Sequence, residues 1–323
     1  MTTSPSRLKL ILAFGAVYIF WGSTYLAIRI AIETVPPFLM AGIRFLTAGA
    51  ILFGWTMARG ESKPTIAHWK SAALLGFILL LIGNGALTWS EQFLPSSIAA
   101  LIVTATPLWF VIVDCIQHGV RPTIQTIVGL LLGSIGMVIL IDPTRIGGGA
   151  QIDIRAAIVL LIASLAWAGG SLYTKTIPTP SSPLVSTGMQ MIAGGVFLLL
   201  LGLVSGELQQ VQLSKISGES LLAMLYLMVF GSLIGFTSYS WLLKVASPAM
   251  VSTYAYVNPL VAVFLGWLIA DELITTRILF AAVIIIVAVV TITVENIRKT
   301  SKVIKNMKVA HDHHNLEASP ENH

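Results

Sequence analysis

The sequence predicts an all-α membrane protein of ten transmembrane helices, arranged as two inverted five-helix repeats, and three observations carry that prediction. Composition is the first: 56% of the 323 residues are apolar and 10% charged, with a mean hydropathy of +0.87. A soluble chain of this size is about 25% charged, so hydrocarbon rather than water must face most of this surface. The second is the length of the apolar runs, close to the roughly 20 residues that a spanning helix needs. The third is a pattern of residues that recurs between the two halves of the chain.

Charged, Pro-rich and Gly-rich breaks separate the runs. Arg7 and Lys9 lead into Leu10–Ile30, too long for the core of a cleavable signal, so it stays as the first span. Pro36-Pro37 precedes the second, Phe38–Met57, and the basic stretch from Arg59 to Lys70 sets off the third, Ser71–Ser90. Spans four and five are Ser97–Ile116 and Ile124–Ile141, divided around Arg121-Pro122. A Gly147-Gly148-Gly149 joint comes before the sixth, Ile154–Thr174, and a Pro-rich break before the seventh, Val185–Val204. The eighth is Leu221–Leu243, the ninth Met250–Ile269 and the tenth Ile278–Val294. Such uniform runs show no dyad alternation, which favours helices over a barrel. Residues 10–142 then form the first repeat and 154–295 the second, while 298–323 is too polar to fold alone and reads as a disordered cytoplasmic tail. Its His311, His313 and His314 are read as solvated, so no metal and no cofactor is expected.

A net charge of 19 − 14 = +5 would point to nucleic acid in a soluble chain; here the positive-inside rule accounts for it. One set of span ends carries thirteen Lys and Arg, the other five, which places both termini in the cytoplasm. The expected partners are therefore the lipid bilayer and a small-molecule substrate, with no nucleic acid and with a homodimer left open. Cys115, the single cysteine, has no disulfide partner and is read as a packing residue.

At an offset of 146, Trp21 meets Trp167, Arg44 meets Gln190 and Ala48-Gly49 meets Gly194-Gly195. At 152, Gly83 meets Gly235, Trp89 meets Trp241 and Thr106-Pro107 meets Asn258-Pro259. The six-residue difference falls in the loop Ser205–Ser220, where an insertion is tolerated. Five spans per copy force the second copy to enter the membrane from the opposite side. Inverted repeats supply the symmetry for alternating access around a site near the midplane.

Few ionisable groups lie in the spans. Arg44 is about two turns into the second, where a lone cation costs about 2.5 to 3.5 kcal/mol on insertion scales, and Glu91, closing the third span on the same side, is its nearest candidate partner. Two readings stay open: a gate or anchor for an anionic substrate group, and a structural pair. Asp114 reads as a solvated helix end. The rest of the inventory is aromatic or small and polar. The first copy offers Trp21, Thr24, Asn84, Thr88, Thr106 and Trp109; the second offers Trp167, Ser171, Tyr239, Tyr254 and Asn258. Aromatic walls with a few hydrogen-bonding groups suit small organic solutes. Pro107 and Pro259 fall mid-span at equivalent positions and are hinge candidates. Gly129-x-x-x-Gly133 is a close-packing signal that serves internal contacts more often than a homodimer.

The stretches FWGSTYLAIRIAIETVPPFLMAGIRFLTAG, IGNGALTWSE, ATPLW and STYAYVNPLVAVFLGWLIADE resemble the EamA-domain proteins of the drug/metabolite transporter superfamily, and within it the YedA-like exporters. The resemblance spans residues 10 to 295. It implies tandem EamA repeats, a bacterial inner-membrane location, export of small organic metabolites or drugs, and a cavity among spans one, three, four, six, eight and nine. Two departures stand out. Asp271-Glu272 has no acidic counterpart at His118-Gly119-Val120, and Tyr18, Trp21 and Ser23 occupy the region where the small multidrug exporters of the superfamily carry a glutamate. An intramembrane enzyme is the less favoured alternative, because H-E-x-x-H and G-x-S-x-G are both missing. A sugar-phosphate or nucleotide-sugar exchanger should need several deep cations, and the spans offer Arg44.

Overall fold

The computed structural model describes residues 6–94, 99, 102–119, 121–141, 153–270 and 275–295. The expected tail, the triple-glycine joint and Asp271-Glu272 lie outside them. Among the described residues all regular structure is helical, and seven helices are long and apolar enough to cross a membrane. These are α1 (Arg7–Ala31), α2 (Pro37–Ala58), α3 (Ile66–Ser90), α6 (Ile154–Tyr173), α7 (Pro183–Val204), α8 (Gly218–Val245) and α10 (Thr276–Glu295). Between them run the shorter α4 (Thr106–His118), α5 (Ile124–Ile141) and α9 (Tyr254–Ala270). Leu26, Ile51, Leu131, Leu200 and Val287 point outward with about half of their surface exposed, as side chains facing acyl chains do.

α2 and α7 make the most extensive helix contact. A Cβ on Gly49 would lie 2.7 Å from the Ile192 nitrogen, and one on Gly195 2.5 Å from the Leu46 nitrogen, so the two backbones touch where the sequence aligns its glycines. The remaining contacts are reciprocal. α1, from the first half, packs on α8 and α9, while α6, from the second, packs on α3 and α4. Gly129 and Gly133 of α5 serve packing within the chain: a Cβ there would meet Ile292 of α10 and the Tyr256 ring of α9.

Three features depart from the uniform spans expected. α3 and α8 each contain a ten-residue π-helical segment, Gly76–Gly85 and Leu227–Phe236, at equivalent positions in the two halves. Wider turns of this kind gather at functional sites. Next, the expected continuous fourth span is broken by a turn at Thr104-Ala105, and α4 starts at Thr106. Pro107 therefore sits in a first turn, where its missing N–H costs nothing, rather than kinking a helix from within; Pro259 does lie inside α9. The ninth span is also divided, but earlier: a short helix Pro248–Val251 ends in a turn at Ser252-Thr253 before α9 begins.

The loop after α7 reaches back to the first half. Glu207 is 5% exposed, and its two carboxylate oxygens accept hydrogen bonds from the Phe38 and Leu39 backbone N–H groups at 3.1 and 2.9 Å. Those donors open α2 and have no intrahelical acceptor, so the carboxylate satisfies both and complements the helix dipole.

Candidate functional site

A cavity lies where α1, α2, α3, α6, α8 and α9 meet the start of α4. About 730 Å³ is free of protein atoms there, the open solvent at its mouth included. Its floor is aromatic. The Trp21 ring centroid is 5.6 Å from that of Trp167, 4.9 Å from Tyr239 and 5.1 Å from Tyr254, the last edge-on at 87°. Edge-to-face contacts at these separations match positive ring edges to negative faces.

The two tryptophans are held by the π-helical segments of the opposite half. A Cβ on Gly235 would collide with Trp21 Nε1, and one on Gly83 would come within 2.7 Å of the Trp167 ring. Each indole therefore occupies the space that a glycine leaves. Trp21 also donates its N–H to the Gly231 carbonyl at 3.1 Å, whereas the buried Trp167 N–H, near the Tyr239 and Tyr254 hydroxyls, makes no well-formed hydrogen bond among the described residues.

From this floor the lining residues run one way along the helices: Thr24, Tyr25 and Ile28 on α1, Asn84 and Leu87 on α3, Ser164, Ala163 and Leu160 backwards along α6. That is the end of the bundle that carries Arg29 and Glu91. Beneath the floor the packing is dense. The Tyr18 and Thr253 hydroxyls meet at 2.6 Å, and the Asn258 amide, oriented by its acceptors, donates to the Tyr254 and Tyr18 carbonyls at 3.0 and 3.2 Å.

Arg44 enters the wall from α2, 3% exposed. Its Nη2 donates to Asn84 Oδ1 at 2.9 Å, its guanidinium carbon lies 4.2 Å from the Phe45 ring centroid, and its Nε has no acceptor among the described residues. Glu91 makes no hydrogen bond with the guanidinium, although the two charges attract each other from farther off. Glu91 lies seven residues beyond Asn84 on α3, roughly 10 Å of helix rise, and the nearer amide takes the guanidinium instead. The Glu91 side chain is fully buried with neither oxygen hydrogen-bonded among the described residues, while its backbone carbonyl accepts from Arg29 Nη1 at 2.7 Å.

Of the residues singled out by sequence, Trp21, Thr24, Arg44, Asn84, Thr106, Trp167, Tyr254 and Asn258 line the cavity. Four others stand behind the wall. Thr88 Oγ1 donates to the Asn84 carbonyl at 2.9 Å, steadying that turn of α3, and Trp109 Nε1 donates to Ser164 Oγ at 3.1 Å. Ser171 and Tyr239 share a 2.6 Å hydroxyl contact under the floor. Sequence reading passed over Phe45 and Phe236, apolar residues with no signal to separate them from any other core phenylalanine.

A helical membrane protein with an internal cavity of organic-solute size is the class that fold and site define. The profile of the EamA-like transporter family matches residues 8–141 and 154–294, and the chain belongs to that family of membrane transporters. The inner membrane transporter YedA of Escherichia coli (strain K12) is 39% identical over 282 residues, covering 87% of this chain and 89% of its own. Protein PecM of Dickeya dadantii (strain 3937) is 26% identical over 275 residues, 82% and 88% of the two chains. A crystal structure at 20% identity superposes with a TM-score of 0.72 over 91% of this chain and 99% of the other, which establishes the shared fold.

Proposed function

We propose that this protein is a secondary transporter that exports small organic metabolites or drugs across the bacterial inner membrane, by alternating access of two inverted repeats with both termini in the cytoplasm. One observation carries the reading: the cavity sits between the halves, extends towards one end of the bundle, and is closed at the other by the Trp21, Trp167, Tyr239 and Tyr254 cluster and the packing beneath it. By the charge distribution of the loops, the accessible end is the periplasmic one. Rocking the halves about the reciprocal tryptophan–glycine seats would part the floor and bring the opposite end into access. A sugar-phosphate exchanger fits less well, since Arg44 is the one Lys or Arg in the wall among the described residues.

The test is intracellular accumulation of a mixed panel of metabolites, amino acids and toxic dyes, read by mass spectrometry in cells with and without the protein. One solute class should fall in expressing cells, and Trp21→Ala, Trp167→Ala and Asn258→Ala should each restore it while the protein stays folded in the membrane. Unchanged export in all three variants would remove the cavity from the transport path.

A further inference from the structure

We propose that the cavity takes an organic monoanion: a single carboxylate seated on Arg44, carried by an apolar or aromatic body that rests on the Trp21 and Trp167 floor. This deepens the exporter reading and rests on it. The argument is an inventory of what the wall leaves unsatisfied. Two buried N–H donors of the lining, Arg44 Nε and Trp167 Nε1, have no well-formed acceptor among the described residues, although the Tyr239 and Tyr254 hydroxyls lie near the second; the Ser232 and Thr237 hydroxyls, likewise unmatched, lie outside the lining. The buried acceptors without a donor, both oxygens of Glu91, belong to a residue outside the lining. A ligand that completes this wall must therefore bring acceptors, because an unmade hydrogen bond at a buried donor costs its full desolvation.

Charge points the same way. Among the described lining residues Arg44 carries the one formal charge; its neighbour in the wall is the neutral Asn84 amide, and Glu91, which attracts it from behind the wall, is shared with Arg29. A guanidinium held out of water with an amide for company gains most from a carboxylate, which its planar fork accepts. A cationic solute would meet Arg44 across a medium that screens poorly. A zwitterion would bring an ammonium group into a wall without a carboxylate, and a phosphate dianion would exceed the single positive charge. The Phe45 ring lies 4.2 Å from the guanidinium carbon and most of the remaining lining is aromatic or aliphatic, so the remainder of the solute is mainly apolar.

The experiment compares four probes of one shape and different charge by isothermal titration calorimetry on the purified full chain in lipid nanodiscs: phenylpropanoate, phenylpropanamide, phenylpropylamine and phenylalanine. Phenylpropanoate should bind at least about tenfold more tightly than the amide, a difference of about 1.4 kcal/mol, with the amine and the zwitterion weaker still. Arg44→Gln should reduce the anion to the affinity of the amide. Asn84→Asp should do the same by placing a carboxylate at the 2.9 Å contact and neutralising the guanidinium from within the wall; should Arg44→Gln fail to fold, this variant decides alone. Tightest binding by the amine or by phenylalanine, an anion advantage that survives Asn84→Asp, or no binding of any probe would each overturn the inference. Flux in proteoliposomes separates the two readings. An anion bound but never moved counts against transport through this cavity, whereas an amine that is moved in preference leaves transport standing and removes the anion seat.

Discussion

Trp21 and Trp167 hold equivalent places in the two halves, and both rest on a glycine of the facing π-helical segment, yet their indole N–H groups have opposite fates. Trp21 is tied to the Gly231 carbonyl at 3.1 Å, and Trp167, with the Tyr239 and Tyr254 hydroxyls near it, makes no well-formed bond among the described residues. Their seats differ as well. A Cβ on Gly235 would be pressed between the Trp21 ring and the Phe230 carbonyl at 3.0 Å, whereas one on Gly83 would meet the side chain of Trp167 with the nearest backbone oxygen at 3.5 Å. The likeness positions the pair; the difference assigns them separate tasks. Trp21 is bound into the scaffold, and Trp167 is held more loosely, beside the Tyr239 and Tyr254 hydroxyls.

The most severe way to break the comparison is to fill the seats. Gly235→Ala should lower stability by about 1–3 kcal/mol, the usual cost of overpacking, because the backbone closes off any escape for the Trp21 ring. Gly83→Ala should cost less, since the Trp167 indole can shift into the cavity, but it should impair transport as strongly. Thermal unfolding in detergent beside a flux assay measures both, and equal destabilisation by the two variants would deny the difference between the seats.

A smaller effect sharpens it. Trp21→Phe removes a well-formed hydrogen bond and Trp167→Phe at most a poorly formed one, at a similar loss of volume. The first should therefore be less stable than the second by about 1 kcal/mol, the net worth of a typical buried bond, while the second should show the greater loss of solute affinity. The reverse order in unfolding temperature would mean that the indole N–H groups do not distinguish the halves.

The smallest effect is at the helix starts. α6 begins at Asp153, whose carboxylate accepts from the Arg155 and Ala156 backbone N–H groups and pairs with the Arg155 side chain at 3.0 Å; its counterpart α1 begins at Ser6 without a side-chain cap. The hydrogen bond from Arg155, more than any other contact, holds the Asp153 carboxyl below the usual carboxylate range. A carboxyl lowered in the folded state contributes stability above its unfolded pKa and loses it as pH falls through the folded value. Asp153→Ala should thus lower the unfolding temperature slightly at neutral pH and progressively less on acidification, whereas Ser6→Ala should be silent throughout. A pH-independent effect of Asp153→Ala would reduce the cap to geometry alone.

These contrasts also mark how far the sequence could be read. Long apolar runs announced the helices because bilayer thickness fixes their length, and Trp21, Gly83, Trp167 and Gly235 were aligned by counting alone. Their contact was not legible, since it depends on π-helical turns in α3 and α8 that no residue pattern encodes; Gly76, Gly83 and Gly85 read equally well as ordinary close-packing positions. The break before α4 escaped for a similar reason. Pro107 marks an end or a kink with equal force, and only the turn at Thr104-Ala105 distinguishes them. Arg44 was conspicuous as a buried cation. Its hydrogen bond to Asn84 was not legible: reach along α3 gives the guanidinium to the nearer amide, while Glu91 interacts with it from farther off.

The Glu207 carboxylate that closes the start of α2 has a consequence for biogenesis. About 170 residues of chain separate it from Phe38 and Leu39, so a ribosome must synthesise the whole first half and over a third of the second before the second helix of the first half is complete. Until then α2 stands in the translocon with its opening N–H groups unsatisfied, and the first half is an unfinished intermediate rather than a domain that folds and waits. Expressed as two separate polypeptides, the halves should need to be made together in one cell, with Glu207 among the contacts through which the second rescues the first.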